Sequence, residues 1–239
     1  MGFLFRPKEL PRPASLTFTL DQAGHTYDDG HVGLAPTDIT ISELRVAVIG
    51  LNGAGKSTLL GLLDGSLKAN AGTVTIAGGE ERLDPAVKKD AKRIDNLVGK
   101  VRREEIPNSF YQAANISEAV SEALKKHKVP ESERHARIGN LFAHFDLAQV
   151  SKAKASELDS EKRHLLAIAA ALSFEPSAIV ADEPSKGLDE IGAAHVAKAL
   201  FSYNKQVIFA THDTDMIRRP EYAICLLYTS PSPRDATLS

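Results

Sequence analysis

Residues 50–58 have the sequence GLNGAGKST, which combines three glycines with a lysine and two hydroxyl side chains. The segment follows a β-branched run and precedes a helical pattern, so it is predicted to join a buried strand to a helix N-terminus. Glycines in such a turn let backbone N–H groups surround phosphate oxygens, and the helix dipole adds positive charge. Lys56 would reach the β- and γ-phosphates of a nucleotide, and the Ser57 hydroxyl would coordinate Mg²⁺.

Two carboxylates follow another apolar segment, AIVADEP at residues 178–184. Asp182, at the end of the predicted strand, is placed to hold Mg²⁺ through water, and Glu183 is placed to polarise an attacking water. An Asp-Glu pair after a strand is by itself an ordinary loop start. About 125 residues after a phosphate loop in an alternating fold, the same pair indicates nucleotide hydrolysis.

A histidine, His212, ends a third apolar segment, IFATHD. A lone histidine at such a position is more often structural, but with Glu183 on a nearby strand end we expect it to contact the γ-phosphate. The segment SKGLD, residues 185–189, follows the carboxylates directly. Taken alone, it is an ordinary turn that caps the next helix.

These residues need a sheet whose strands end at one common edge. Strand patterns occur in SLTFTL, LRVAVIG, GTVTIAGG, SAIVAD, QVIFAT and YAICLL, whereas AGHTYDDGHVG is predicted to be rich in turns. Helices are predicted over 56–67 and 191–201, and three more within 116–172. This order predicts a mainly parallel sheet wrapped by helices and interrupted by an all-helical insert.

The composition limits the classes of protein that fit. The chain has 239 residues, 43% apolar and 25% charged, as in a globular domain. The net charge of −2 gives no global attraction to nucleic acid, and the basic segment 85–103 lacks interleaved aromatic residues, so no nucleic-acid partner is expected. The single cysteine, Cys225, excludes an intramolecular disulfide and fits a reducing cytosol.

No targeting or membrane-spanning segment is expected. Only three consecutive apolar side chains precede Arg6, too few for a signal-peptide core. The longest apolar run, LLAIAAAL, is far below the roughly 20 residues of a membrane helix. A role at a membrane would therefore require docking on a protein that is already there.

The motifs together resemble the ATP-binding cassette (ABC) family: the Walker A loop (50–58), the Walker B strand (178–184), the D-loop (185–189) and the H-switch, His212. Tyr27, 23 residues before Gly50, matches the aromatic residue that stacks on adenine in that family; an exposed turn tyrosine is the alternative. The resemblance implies an ATPase that uses ATP and Mg²⁺. The implied ATP-binding residues are Tyr27, Asn52, Gly53, Ala54, Gly55, Lys56, Ser57 and Thr58. The implied Mg²⁺ ligands are Ser57 and Asp182, and the implied catalytic residues are Glu183 and His212.

The resemblance also implies an α/β fold of the P-loop NTPase (RecA-like) type, a mainly parallel sheet with N-terminal antiparallel strands and an inserted helical subdomain. We predict one nucleotide-binding domain over 1–227, with core segments at 15–84 and 173–227 and a helical subdomain at about 104–172. The Ser/Pro-rich end, LLYTSPSPRDATLS, resembles translated sequencing-adapter sequence. Residues 228–239 are therefore predicted to be a disordered tail foreign to the natural protein; a natural disordered terminus is the alternative.

Within the family, the segments RVAVIGLNGAGKSTLL and QVIFATHDTDM make the chain similar to the ATPase subunits of energy-coupling-factor importers for vitamins and metals. This similarity implies a cytoplasmic protein held at the inner face of the cell membrane by a transmembrane transporter subunit. ATP would close a dimer with a second ABC ATPase subunit, and hydrolysis would reopen it. Two alternatives stay open: a soluble ABC ATPase that acts on ribosomes or DNA, and a regulatory cassette that binds ATP without hydrolysing it.

Two positions depart from the family pattern. Arg103 stands where the family has a glutamine, and Gln112 is the nearest glutamine that could replace it. The signature, LSGGQ in the family, is LDSEK here, at residues 158–162.

In the family the signature clamps the γ-phosphate of the partner's ATP across a dimer interface. The residues implied at that interface are Asp159, Ser160, Glu161 and Asp189. Asp159 and Glu161 place negative charge where the anion should sit, and like charges about 5 Å apart cost roughly 3 kcal/mol at an effective dielectric near 20. Lys162 offsets this only in part, because it is expected to lie deeper in the helix. The sequence therefore predicts a heterodimer rather than a homodimer, unless an error in the assembled sequence created LDSEK.

Overall fold

A computed structural model describes residues 16–102, 106–220 and 222–226 of the chain. The first sheet is antiparallel and contains four strands: β1 (Thr17–Thr26), β2 (Val32–Ile41), β4 (Ala71–Gly78) and β5 (Glu81–Leu83). Their order across the sheet is β2-β1-β4-β5. The predicted antiparallel N-terminal strands are confirmed. Only residues 27–31 form the turn between β1 and β2, because β-strand pairing extends into most of the segment predicted to be turns.

The second sheet is parallel and has the order β6-β7-β8-β3-β9. Its strands are β3 (Arg45–Gly50), β6 (Val98–Arg102), β7 (Ala178–Asp182), β8 (Gln206–Ala210) and β9 (Tyr222–Leu226). Because all four strand pairs are parallel, the carboxyl ends of β3, β7 and β8 meet at one edge. The loops after these three strands hold the glycine-rich segment, the two carboxylates and His212.

Eight α-helices occur in the described residues. They are α1 (Lys56–Leu63), α2 (Lys88–Leu97), α3 (Asn108–Gln112), α4 (Ile116–Lys126), α5 (Glu131–His144), α6 (Ser160–Leu172), α7 (Glu190–Phe201) and α8 (Thr214–Ile217). The three helices predicted within 116–172 are confirmed as α4, α5 and α6. The helix predicted over 56–67 ends earlier, at Leu63, because Asp64 caps it and Gly65 follows with φ +72°.

Two apolar cores lie on opposite faces of the parallel sheet. Along β3, Ala47 belongs to the core shared with the helical segment, while Val46 and Val48 belong to the core shared with the antiparallel sheet. A strand that is buried on both faces needs apolar side chains at nearly every position, which explains the unbroken apolar runs of β3, β7 and β8. The fold is that of a P-loop NTPase.

Several predictions are not tested by the described residues. The division into core segments 15–84 and 173–227 and a subdomain at 104–172 remains a prediction. The predicted tail, 228–239, and Arg103 lie outside the described residues. Among the described helices, none has the length and apolarity that crossing a membrane requires.

Candidate active site

The glycine-rich loop leads from β3 into the N-terminus of α1. Gly55 is the N-cap of α1 and has φ +94°, and Gly53 has φ +82°, a region that other residues rarely occupy. A Cβ atom at Gly55 would also clash with the carbonyl oxygen of Gly33. No side chain caps α1, and its first turn has no acidic residue. The first amides of the helix therefore remain available to an anion.

Lys56 is the first residue of α1, and its side chain folds back over the loop. Its Nζ donates hydrogen bonds to the carbonyl oxygens of Gly50 and Leu51, at 2.9 and 3.0 Å. The residue is only 7% exposed. These bonds hold the ammonium group at the centre of the loop, beside the amides that would bind phosphate.

Asp182 and Glu183 stand at the carboxyl end of β7, where both are buried. Oδ1 of Asp182 has no hydrogen-bond partner among the described residues. Glu183 has φ +50°, which is uncommon for a residue with a side chain, and its amide donates to the Ala210 carbonyl oxygen at 2.8 Å. A strained backbone and an unpaired buried carboxylate oxygen together are typical of a functional site rather than of a structural loop.

His212 follows β8 and reaches across to Glu183. Its Nε2 lies 3.3 Å from Oε1 of Glu183, and its side chain is half exposed. The two residues therefore face the same space at the edge of the sheet, as predicted from their positions after neighbouring strands.

Tyr27 begins the turn between β1 and β2 and leans against α1. Its hydroxyl lies 3.0 Å from Oγ1 of Thr58. Gly33 makes this approach possible, because a Cβ atom there would clash with the tyrosine ring. Tyr27 is 37% exposed, so its side chain is fixed at the hydroxyl by α1 and is otherwise open in part to a ligand.

One cavity of about 420 Å³ joins these residues. Its lining consists of Tyr27, His31, Gly33, Asn52, Gly53, Gly55, Lys56, Ser57, Thr58, Asp182, Glu183, Lys186 and His212. Of the predicted nucleotide-site residues only Ala54 is missing from this lining, because its side chain packs against a core. His31, Gly33 and Lys186 were not predicted. The sequence contains one signal for His31: it lies four residues after Tyr27, and Gly30 between them favours a turn that brings the two side chains together.

The signature segment lies apart from this cavity. Asp159 is the N-cap of α6: its Oδ1 accepts a hydrogen bond from the Lys162 amide at 2.7 Å, and its Oδ2 lies 2.8 Å from the Lys162 ammonium. These two hydrogen bonds lower the pKa of the Asp159 carboxyl group. Lys162 lies within α6, as expected, and its side chain still reaches back to the N-cap three positions earlier, so its ammonium group directly offsets the charge of Asp159.

Glu161 is also engaged within the chain. Its Oε1 lies 2.8 Å from Nδ1 of His195, a residue of α7. The N-cap of α7 is Asp189, whose Oδ1 accepts the Gly192 amide at 2.8 Å. The N-terminus of α6, which the family resemblance assigns to a partner's phosphate, is thus capped by Asp159 of its own chain, whereas α1 has no side-chain cap.

A second and larger cavity, about 1370 Å³, lies between β6, α3, α4 and α6. Gln112 lines this groove and not the nucleotide cavity. Its wall contains small apolar residues of α6, among them Ala167, Ala170 and Ala171, and the exposed ring of Tyr111. We refer to it as the α3–α6 groove.

A phosphate loop, two strand-end carboxylates and a histidine on a parallel sheet define a nucleotide-binding ATPase of the P-loop class. Residues 37–186 match the family model described as ABC transporter. An ABC transporter ATP-binding protein of Deinococcus radiodurans is 34% identical over 199 residues, which cover 83% of this chain and 84% of that protein. The chain belongs to the ABC transporter family and is an ATP-binding, ATP-hydrolysing subunit of that family.

Two further relatives carry more specific names. The energy-coupling factor transporter ATP-binding protein EcfA of Methanocaldococcus jannaschii is 30% identical over 201 residues, covering 82% of this chain and 70% of that protein. The structure of cbiO1 from Clostridium perfringens, described as part of the ABC transporter complex cbiONQ, is 26% identical, with a TM-score of 0.74. That likeness covers 87% of this chain and 84% of cbiO1. Cassettes of this family dimerise and work with transmembrane subunits.

Proposed function

We propose that this chain binds Mg·ATP in the 420 Å³ cavity and hydrolyses it to power a membrane importer of the energy-coupling-factor type. The observation that carries the proposal is the meeting of Lys56, Asp182, Glu183 and His212 around one cavity. Lys56 and the open N-terminus of α1 bind the phosphates. Adenine lies against Tyr27.

The residues present fit a magnesium ion. The described residues contain no group of three or more His, Cys, Asp or Glu side chains suited to a metal, and Mg²⁺ bound with a nucleotide takes most of its ligands from water and phosphate. Ser57 and Asp182 would hold the ion, and the unpaired Oδ1 of Asp182 suits a bound water. The ion would neutralise charge that develops on the phosphates.

Glu183 acts as the general base in this proposal, and His212 orients the reacting phosphate. The carboxylate would accept a proton from the attacking water, because it lies at the cavity wall and, among the described residues, no lysine or arginine forms an ion pair with it. His212, 3.3 Å from that carboxylate, can contact both the base and the γ-phosphate. In phosphoryl transfer, positioning of this kind together with electrostatic stabilisation supplies most of the rate enhancement.

The α3–α6 groove is proposed to receive the transmembrane subunit. Its small alanines leave space for bulky side chains of a partner helix, and Tyr111 exposes 48% of its surface there. The name of the Methanocaldococcus EcfA protein supports an energy-coupling-factor transporter, and the description of cbiO1 as part of an ABC transporter complex supports a transporter partner. A partner embedded in the membrane would hold the chain at its inner face.

The second cassette of the dimer is proposed to be a different chain. Each nucleotide site of such a dimer combines one chain's Walker residues with the other chain's signature. Because Asp159 already caps the N-terminus of α6 and Glu161 adds a second carboxylate in its first turn, this chain is proposed to bind a partner's ATP poorly through its signature. A partner with an intact signature would complete the site built on Lys56.

The transporter proposal is tested by purifying the full tagged chain from detergent-solubilised membranes of its source cell. We expect a polytopic membrane protein and a second cassette to co-purify, and Tyr111→Ala to lose the membrane protein while its affinity for Mg·ATP is unchanged. Tyr222→Ala is the matched control, since Tyr222 is a tyrosine with 46% exposure that does not line the groove. Co-purification with ribosomes instead, or a Tyr111→Ala chain that keeps the membrane protein, would contradict the proposal.

A further inference from the structure

We infer that His31 is a second base-binding ring, which holds the nucleotide base together with Tyr27. The inference rests on the proposed nucleotide site. Tyr27 and His31 face each other across the turn between β1 and β2, where the Tyr27 amide donates to the His31 carbonyl oxygen at 2.8 Å. Both residues line the 420 Å³ cavity beside the phosphate loop.

The two rings are almost parallel. Their planes differ by 15° and their centroids are 6.2 Å apart. A planar base stacked between two such rings needs about 7 Å between their centroids, so the His31 ring must move outward by about 1 Å while it stays nearly parallel to Tyr27. Stacking on aromatic side chains needs this parallel arrangement and is a main source of base affinity.

The Tyr27 ring and the backbone of the turn that carries His31 are held in place before a ligand arrives. The Tyr27 hydroxyl contacts Thr58 of α1. The turn is closed by the Gly30 amide, which donates to the Tyr27 carbonyl oxygen at 2.9 Å, and by the His31 amide, which donates to Oδ1 of Asp29 at 2.9 Å. Only the His31 side chain would have to become ordered when the base binds, so the loss of conformational entropy is small, which favours affinity.

The chemical class recognised by this pair is a nucleoside triphosphate rather than adenine alone. Every base has a π face, so stacking tolerates different bases. A ligand without a base, such as inorganic tripolyphosphate, would use Lys56 and the α1 N-terminus but gain nothing from His31. This contrast separates base binding from phosphate binding.

The experiment measures the affinity of the full chain for Mg·ATP, Mg·GTP and Mg·tripolyphosphate by isothermal titration calorimetry. We expect His31→Ala to weaken both nucleotides about 5- to 10-fold, as loss of one stacking ring does, and to leave tripolyphosphate affinity unchanged. His31→Phe, which keeps an aromatic ring, should restore nucleotide affinity. His25→Ala is the matched control: His25 touches Tyr27 edge-on at 4.7 Å but does not line the cavity.

Measuring His31→Ala in a chain that also carries Tyr27→Ala distinguishes direct contact between His31 and the base from an indirect effect in which His31 only holds Tyr27 in place. If His31 contacts the base, His31→Ala weakens Mg·ATP further in that background. An unchanged affinity there, or equal losses for ATP and tripolyphosphate, would overturn the inference. If the wild-type chain bound neither ATP nor tripolyphosphate, the proposed nucleotide site would be refuted. If it bound both and His31→Ala changed neither affinity, only the proposed role of His31 would be refuted.

Discussion

Nε2 of His212 lies 3.3 Å from Oε1 of Glu183, although the two residues belong to loops after different strands. The contact exists because β7 and β8 are parallel neighbours, with Asp182 paired to Ala210 at their ends. The Glu183 amide donates to the same Ala210 at 2.8 Å. The backbone that sets the φ of Glu183 at +50° thus also sets the distance between the base and the histidine.

Glu183→Gln is expected to abolish most ATP hydrolysis while leaving Mg·ATP affinity nearly unchanged. An amide of the same shape cannot accept the proton of the attacking water, and loss of a general base lowers rates by about 100-fold or more. Phosphate release and calorimetric titration measure the two effects. Glu190→Gln, at an exposed position outside the cavity, should keep the wild-type rate, and a Glu183→Gln chain with that same rate would show that the base lies elsewhere.

Asp64→Ala is expected to lower the free energy of unfolding by about 2–3 kcal/mol. The substitution removes a buried carboxylate that accepts hydrogen bonds from the Arg102 guanidinium and the Ser66 amide. The Asp64 side chain is 2% exposed and its partner Arg102 36%. The pair joins the end of α1 to the end of β6. Urea denaturation provides the measurement. Glu81→Ala breaks the exposed Arg93–Glu81 pair and should cost no more than about 0.5 kcal/mol; equal losses in the two variants would refute a special role for Asp64.

His127→Phe is expected to reduce the loss of stability at acid pH. His127 stacks on Phe174, with centroids 3.7 Å apart, and its Nδ1 lies 2.9 Å from Oδ1 of Asn96. Burial, and then Lys126, lower the pKa of His127 from 6.5, although Asp95 opposes the shift. The unfolded chain therefore takes up the proton first, so stability falls as the pH drops below 6.5 toward the folded-state pKa.

Denaturation curves near pH 7.5 and pH 5.5 test this effect, because they bracket the ordinary histidine pKa of about 6.5. The phenylalanine keeps the stacking and removes the titrating group, so the difference between the two pH values should shrink. It should not vanish, since burial also lowers the pKa of His144. A difference as large as that of the wild type would exclude His127 as the source.

The strand-end chemistry could be predicted from sequence because it depends on local patterns. A glycine-rich segment after an apolar strand requires positive φ values, and Gly53 and Gly55 have them. Apolar runs that end in Asp182 or shortly before His212 fix which residues meet at the edge of a parallel sheet. The caps of α4 and α6, Asn115 and Asp159, were also predictable, since capping is a contact between residues three apart.

The remaining features depend on contacts between segments far apart in the chain. Glu161 and His195 are 34 positions apart, and no periodicity connects them. The sequence-based expectation that Glu161 places negative charge at a partner's phosphate did not include this contact with His195. Similarly, the ring of His31 enters the site only because β1 and β2 pair closely around the turn.

We propose that this chain has a complete set of its own ATP-binding and catalytic residues, whereas its signature segment, residues 158–162, is blocked by its own carboxylates. The rate of ATP hydrolysis by the purified chain alone tests it most directly, compared with a variant carrying Asp159→Ser, Ser160→Gly and Glu161→Gly. We expect slow hydrolysis by the wild type and a rise of at least about tenfold in the variant, because backbone donors at the N-terminus of α6 become free to stabilise the transferring phosphate. Brisk hydrolysis by the wild-type chain alone, unchanged by Glu161→Gly, would contradict the account.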